Sequence, residues 1–89
     1  MQAHVVIKGE VQKVGFRHFV RYNAKALGLV GWVKNTPTGQ VDALFQGSQE
    51  TIDAMLTLCK KGPLLAQVKD IVVSWSEKQD HFADFTLVV

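Results

Sequence analysis

The passage from a strand to a helix falls within residues 9–17, which read Gly9-Glu10-Val11-Gln12-Lys13-Val14-Gly15-Phe16-Arg17. Residues 4–8, just before this stretch, are a β-branched run of the kind that forms strands. After it, apolar residues recur every three or four positions, as on one face of a helix; they are Phe16, Phe19, Val20, Ala24 and Leu27. Gly28 then stands where a helix C-terminus favours glycine. The sequence therefore predicts a strand–loop–helix unit.

Downstream, Gly and Pro divide the chain into further short elements. We predict strands over residues 30–36 and 41–46, joined by the turn residues Pro37-Thr38-Gly39. Ser48 is a suitable N-cap for a second helix, whose apolar stripe is Ile52, Met55, Leu56 and Cys59. Gly62-Pro63 ends that helix, residues 68–76 form a fourth strand, and residues 82–89 form a last extended segment.

The order β-α-β-β-α-β plus a terminal strand indicates an α+β, ferredoxin-like sandwich. In this architecture two helices cover one face of an antiparallel sheet. With 89 residues, we expect a single domain over residues 1–89, too small for a dinucleotide-binding or barrel fold. The fold class by itself does not identify a function.

Composition and charge narrow the function classes. The chain is 47% hydrophobic and 20% charged with a net charge of +2, which is too weak a basic excess to indicate nucleic-acid binding. No apolar stretch approaches the roughly 20 residues that span a bilayer. A single cysteine, Cys59, cannot form an internal disulfide, and its place on an apolar stripe indicates core packing. We therefore expect a cytoplasmic protein without a membrane segment.

The loop that enters the first helix is the segment best suited to bind a ligand. A helix N-terminus has unpaired N–H groups and a partial positive charge, and the preceding turn adds further amides. Arg17 can match two oxygens of one phosphate. On this pattern alone, an anion site and a tight connection with Arg17 in solvent are equally good interpretations. The three histidines are far apart in sequence, so no metal site is predicted.

Two long motifs resemble those of the acylphosphatase family. Residues 9–17 are similar to its signature G-x-V-Q-G-V-x-F-R. Residues 28–35 are similar to its second motif, G-L-x-G-W-V-[KR]-N, and they read Gly28-Leu29-Val30-Gly31-Trp32-Val33-Lys34-Asn35. Residues 39–47, 62–68 and 85–87 also fit the family pattern, so the similarity covers nearly the whole chain.

The resemblance implies a hydrolase that cleaves acyl phosphates to a carboxylate and inorganic phosphate, with no metal or cofactor. It implies that Arg17 binds the phosphate and that Asn35 orients the attacking water. It further implies that backbone amides of one loop cradle the phosphate, the loop being Gln12, Lys13, Val14, Gly15 and Phe16. The expected partner is a small acyl phosphate, neither nucleic acid nor membrane, and a monomer is the default state.

Lys13 departs from the family pattern, which has glycine at this position. If the loop requires positive φ there, lysine costs about 1–2 kcal/mol; alternatively, it adds a positive charge near the phosphate. This leaves open a module that binds phosphate without turnover. A small RNA-binding domain of the same fold is a third hypothesis, but residues 41–46 contain one aromatic and lack the base-stacking pattern.

Overall fold

The computed structural model describes residues 1–77 and 81–89, in which two helices pack on one five-stranded sheet. The elements in chain order are β1 Gln2–Glu10, α1 Phe16–Ala26, β2 Val30–Asn35, β3 Val41–Gln46, α2 Gln49–Lys61, β4 Gln67–Ser76 and β5 Phe85–Val88. The strand order is β4-β1-β3-β2-β5. The predicted ferredoxin-like α+β fold is confirmed.

The sheet is mixed, because the fifth strand differs from the antiparallel pairing that we expected throughout. Strands β1 to β4 pair antiparallel, whereas β5 lies parallel to β2, with Phe85 beside Gly31 and Val88 beside Lys34. The end of β4 lies at the end of the sheet where β1 and β2 begin, since Ser76 pairs with Gln2 and Gln2 also pairs with Gln46, the partner of Val30. A following edge strand that starts there runs in the direction of β2.

The first strand is longer than the apolar run at residues 4–8, because it continues through Gly9 to Glu10. The register with β4 shifts between Lys8 and Gly9, and a Cβ at Gly9 would collide with the carbonyl of Gln67. Glycine in a strand commonly marks such a bulge and close backbone approach. The last strand is shorter than the predicted residues 82–89, since residues 82–84 and Val89 lie outside it.

The core lies between the helices and one face of the sheet. Alternate residues of β1 are fully buried there, and α1 and α2 contribute the apolar stripes that the sequence predicted. The buried helix residues are Phe16, Val20, Ala24, Ile52, Met55, Leu56 and Cys59. Each large side chain buried in this way stabilises the fold by about 1.5–3 kcal/mol.

The arrangement brings several chain connections to one end of the sheet, which we call the upper end. Strands β1, β2 and β5 finish there, and β3 and β4 begin there. The start of α1 follows β1, and the end of α2 precedes β4. The loop at residues 11–15, the turn at residues 36–40 and the loop at residues 62–66 are therefore neighbours. Within the described ranges, neither helix is long and apolar enough to cross a bilayer.

Candidate active site

The loop between β1 and α1 has a backbone suited to binding an anion. Lys13 has φ 63° and Gly15 has φ 77°, so two left-handed residues fall within five positions. The residue between them, Val14, does not have positive φ. Alternation of right- and left-handed residues turns successive N–H groups toward one point. Such an arrangement is called an anion nest, and the φ angles of this loop fit it.

The start of α1 adds donors to this nest. Gly15 is the N-cap, and no side chain caps the helix; its first turn contains no acidic residue. The carbonyl of Gly15 accepts the first helical hydrogen bond, from the Phe19 N–H at 3.0 Å. The three amides before Phe19 precede that ladder, so their N–H groups and the positive end of the helix dipole are available to an anion.

Arg17 lies in this first turn. Its side chain is half-buried and is hydrogen-bonded to β5, the strand at the edge of the sheet. Its Nη1 donates to the backbone carbonyl of Val88 in β5 at 3.0 Å. A guanidinium has five N–H donors in a planar fork, so one such bond fixes the side chain and leaves donors for a ligand. This hydrogen bond positions Arg17 at the edge of the sheet, which favours the anion-site interpretation over a side chain that is free in solvent.

Asn35 is the last residue of β2 and lies on the helix-covered face of the sheet. Val33 and Gly31, two and four residues earlier, are buried on that face, and the register partner Val41 is fully buried. Because side chains alternate along a strand, Asn35 has the same orientation. Its neighbour Lys34 pairs with Val88, whose carbonyl accepts from Arg17. Arg17 and Asn35 thus belong to the same face and the same end of the sheet.

Gln12 ties the loop to the β2–β3 turn. Its Nε2 donates to the carbonyls of Thr36 and Gln40, each at 2.8 Å. The turn itself is closed by the Thr36 N–H, which donates to the Gln40 carbonyl at 2.9 Å, and Gly39 takes φ 87° within it. The Gln12 side chain therefore anchors the loop beside Asn35 and is not itself turned to a ligand.

The other predicted loop residues differ in exposure. Phe16 has its side chain in the core at 1% exposure, so only its backbone can face an anion. Val14 is half-buried, while Lys13 and Gly15 are exposed. Val88, Thr36 and Gln40 were not singled out from the sequence. Backbone carbonyls carry no side-chain signature, and these partners are 24 to 71 residues away along the chain.

Other reactive groups lie outside this arrangement. Burial raises the pKa of the Cys59 thiol to about 12, so it is a neutral core residue at physiological pH, as the sequence predicted. Among the described residues, His, Cys, Asp and Glu side chains form no group of three that could hold a metal ion. The upper end brings together backbone amides, the Arg17 guanidinium and the Asn35 carboxamide, which are groups suited to binding and orienting an anion and a water molecule.

Comparison with known proteins assigns this chain to a family. The profile of the acylphosphatase family matches residues 3–87. The acylphosphatase of Methanocella arvoryzae is 47% identical over 77 residues, which cover 86% of this chain and 88% of that protein. That of Bordetella parapertussis is 45% identical over 83 residues, with 90% and 88% covered. The crystal structure of acylphosphatase from Bacillus subtilis has a TM-score of 0.96 at 34% identity and covers 99% of this chain and 98% of that one.

The chain belongs to the acylphosphatase family, and the resemblance of its two motifs is confirmed.

Proposed function

We propose that the protein hydrolyses acyl phosphates to a carboxylate and inorganic phosphate, with Arg17 and Asn35 as catalytic residues. The observation that carries this proposal is the position of the Arg17 guanidinium. Arg17 lies in the first turn of α1, directly after the loop with two left-handed residues, and its side chain is held by Val88 of β5, the strand that pairs with β2 and so adjoins Asn35. Family membership supports the reaction class. The geometry supports the residue roles.

In the proposed mechanism the phosphoryl group of the substrate lies in the nest formed by residues 12–16. Backbone N–H groups and the Arg17 guanidinium bind its oxygens and balance the charge that spreads over them as the bond to the acyl oxygen weakens. Catalysis of phosphoryl transfer depends mainly on such positioning and charge stabilisation. The carboxylate is a good leaving group, so no strong general acid is needed.

Asn35 holds the attacking water in line with the leaving oxygen. A carboxamide can accept from the water through its oxygen and donate to it through its nitrogen, which fixes the orientation of the water molecule. The water oxygen bonds to phosphorus while the bond from phosphorus to the acyl oxygen breaks. Asn35 cannot accept the proton of the water, so the proton passes to a phosphate oxygen of the substrate.

The experiment that tests this proposal compares two arginines of the same helix. We expect Arg17→Ala to lower kcat/KM for benzoyl phosphate by roughly 10³-fold or more, in the range of arginine residues that stabilise phosphoryl transfer. Arg21→Ala, one turn later on α1, removes the same charge outside the site and is expected to keep the wild-type rate. Equal rates for wild type and Arg17→Ala, measured with chelator present, would contradict the proposal.

Asn35 is tested in the same assay. We expect Asn35→Ala to lower kcat by roughly 10²-fold or more with little change in KM, because a residue that orients water acts after the substrate binds. Asn23→Ala is the matched control, since the Asn23 side chain donates to the Phe19 carbonyl within α1. A larger effect on KM than on kcat would assign Asn35 to substrate binding instead.

A module that binds phosphate without turnover is the alternative that Lys13 left open. Lys13 adopts the left-handed conformation that a glycine would take at this position. The loop therefore keeps its nest in spite of the substitution, which supports hydrolysis over binding alone. Calorimetric binding of phosphate without any hydrolysis of acyl phosphate would favour the alternative, and activity restored by Lys13→Gly would locate the cause.

A further inference from the structure

Two leucines are presented to solvent in the loop between α2 and β4. Leu64 is 96% exposed and Leu65 is 74% exposed, whereas the buried leucines Leu29, Leu44 and Leu56 are at most 8% exposed. Ala66 donates its N–H to the Pro63 carbonyl at 3.0 Å, so the two leucines are the central residues of a tight turn. Polar residues, Gly and Pro dominate such positions. A turn of this kind does not need leucine for its conformation, and these side chains add little to the core.

The flanks of this turn are fixed to the protein. Gly62 is buried against Phe16: a Cβ at Gly62 would lie 2.8 Å from Phe16 Cε2 and 3.2 Å from the Cβ of Ala66. Ala66 packs on the core, while Leu64 and Leu65 do not. The loop thus has an anchored base and an apolar tip.

The base of the leucine turn, Gly62 and Ala66, adjoins the loop at residues 11–15. Phe16 is the residue immediately after Gly15, the N-cap of α1, and it is the residue that Gly62 touches. On the sheet side, Glu10 pairs with Gln67, so the loops at residues 11–15 and 62–66 leave adjacent strands at the same end. Neighbouring strands are about 4.8 Å apart. The leucine turn therefore borders the anion nest on the β4 side, whereas Arg17 is held on the β5 side.

We propose that Leu64 and Leu65 contact the apolar acyl portion of the substrate while its phosphate lies in the nest. This inference rests on the proposed function. We identify the acyl group as the group that contacts the leucines because it is covalently bonded to the phosphate. An acyl group bonded to a phosphate in the nest must extend across the rim of the nest, and the leucine turn supplies apolar surface at that rim. The contact favours acyl phosphates with an aromatic or longer aliphatic acyl group over acetyl phosphate.

The test measures kcat/KM for benzoyl phosphate and for acetyl phosphate and compares their ratio among variants. In the double variant Leu64→Ser, Leu65→Ser we expect the ratio to fall by about fivefold, the effect of removing roughly 40 Å² of apolar contact. The double variant Leu64→Met, Leu65→Met keeps the apolar surface and is expected to keep the ratio. Tyr22→Ser is the control for an exposed large side chain, since Tyr22 is 75% exposed on α1. Its site lies six residues beyond Phe16, about 9 Å along the helix.

The outcomes separate this inference from the proposed function. If the wild type hydrolyses both substrates and the serine variant keeps the wild-type ratio, the leucine contact is wrong and acyl phosphate hydrolysis stands. If the wild type hydrolyses neither substrate, the proposed function is wrong. The contact of the two leucines with an acyl group, which depends on that function, is then wrong as well. Calorimetry with benzylphosphonate and methylphosphonate gives a readout without turnover. There the serine variant should lose about fivefold in affinity for the benzyl compound relative to the methyl compound, and equal losses for both would contradict the inference.

Discussion

At the scale of single residues, Lys13 is the non-glycine residue with a positive φ among residues 1–77 and 81–89. Its φ of 63° lies in the left-handed region, where an L-residue other than glycine is strained by about 1–2 kcal/mol. Glycine would remove that strain but would lose more conformational freedom on folding, by about 0.5–1 kcal/mol. Because the strain exceeds the entropy loss, replacing Lys13 with glycine should increase the free energy of unfolding.

We expect Lys13→Gly to raise the free energy of unfolding by about 0.5–1 kcal/mol, measured by urea denaturation. Lys13→Ala is the matched control, because alanine also removes the charge but keeps the strain of a Cβ at positive φ. An equal gain from both variants would show that the lysine charge, and not the backbone conformation, destabilises the loop.

At the scale of elements, the connection from α2 to β4 is constrained by a close approach to α1. Gly62 has φ 69° and ψ 178°, a region that is essentially restricted to glycine. A Cβ there would also lie 2.8 Å from the Phe16 ring, whose position sets the start of α1. Gly39, in the β2–β3 turn, has φ 87° but open space around it. Gly39→Ala therefore measures the cost of a positive φ in open space, whereas Gly62→Ala adds the glycine-restricted ψ and the overlap with Phe16.

We predict that Gly62→Ala lowers the free energy of unfolding by about 2–4 kcal/mol and that Gly39→Ala lowers it by about 1–2 kcal/mol. Urea denaturation of the two variants measures the difference. Equal losses would mean that neither the ψ of Gly62 nor its approach to the Phe16 ring adds a cost, and the contact between the α2–β4 loop and α1 would then be loose.

The start of β5 is fixed by a carboxylate that responds to pH. The Phe85 N–H, with the Lys25 ammonium as a second cause, holds the pKa of Asp84 below its ordinary value of 3.8. A carboxyl whose pKa is lower in the folded state stabilises that state above its unfolded pKa. This stabilisation is lost as the pH falls from about that value through the lowered one.

We accordingly expect Asp84→Asn to be less stable than wild type at pH 7 and the difference to shrink as the pH falls below 4. Urea midpoints of both proteins between pH 7 and pH 3 measure the change. A difference that stays constant over this range would assign the effect to geometry at residue 84 and not to the charge.

At the scale of the whole molecule, the proposed catalysis depends on position and not on a titrating side chain. The Cys59 thiol, with its pKa raised to about 12, stays protonated between pH 6 and pH 8. The proposed catalytic groups are a guanidinium and a carboxamide, and the proposal uses neither of them as an acid or a base. We therefore expect kcat/KM to follow only the ionisation of the substrate phosphate in this range. A narrow bell-shaped profile in wild type would reveal a general acid or base that the proposal lacks.

Much of this molecule was predictable from local sequence pattern. The apolar stripes of both helices, the Ser48 N-cap and the hairpin at residues 30–46 follow from periodicity and turn chemistry, and the structure contains them. The Ser48 side chain accepts from the Thr51 N–H at 3.1 Å. The ends of β1 and of β5 were predicted less accurately than these features. Both depend on contacts with strands that are distant in sequence.

The candidate site was predictable in part. Arg17, Asn35 and the loop at residues 12–16 stand in motifs that a reader of the sequence can find. The anchors of the site are not in those motifs. The carbonyl of Val88 that holds Arg17 lies 71 residues away, and the carbonyls that hold Gln12 lie 24 and 28 residues away. Such partners are identified by their position in space, since every residue has a carbonyl.

The sequence by itself determined which segments are strands and helices and which faces are apolar, because those properties depend on neighbours within a few residues. Only the tertiary structure decided that β5 lies parallel to β2, that Lys13 adopts positive φ, and that the loops at residues 11–15 and 62–66 adjoin neighbouring strands at the same end of the sheet. Those features result from the packing of distant segments, whose register depends on the whole sheet and core.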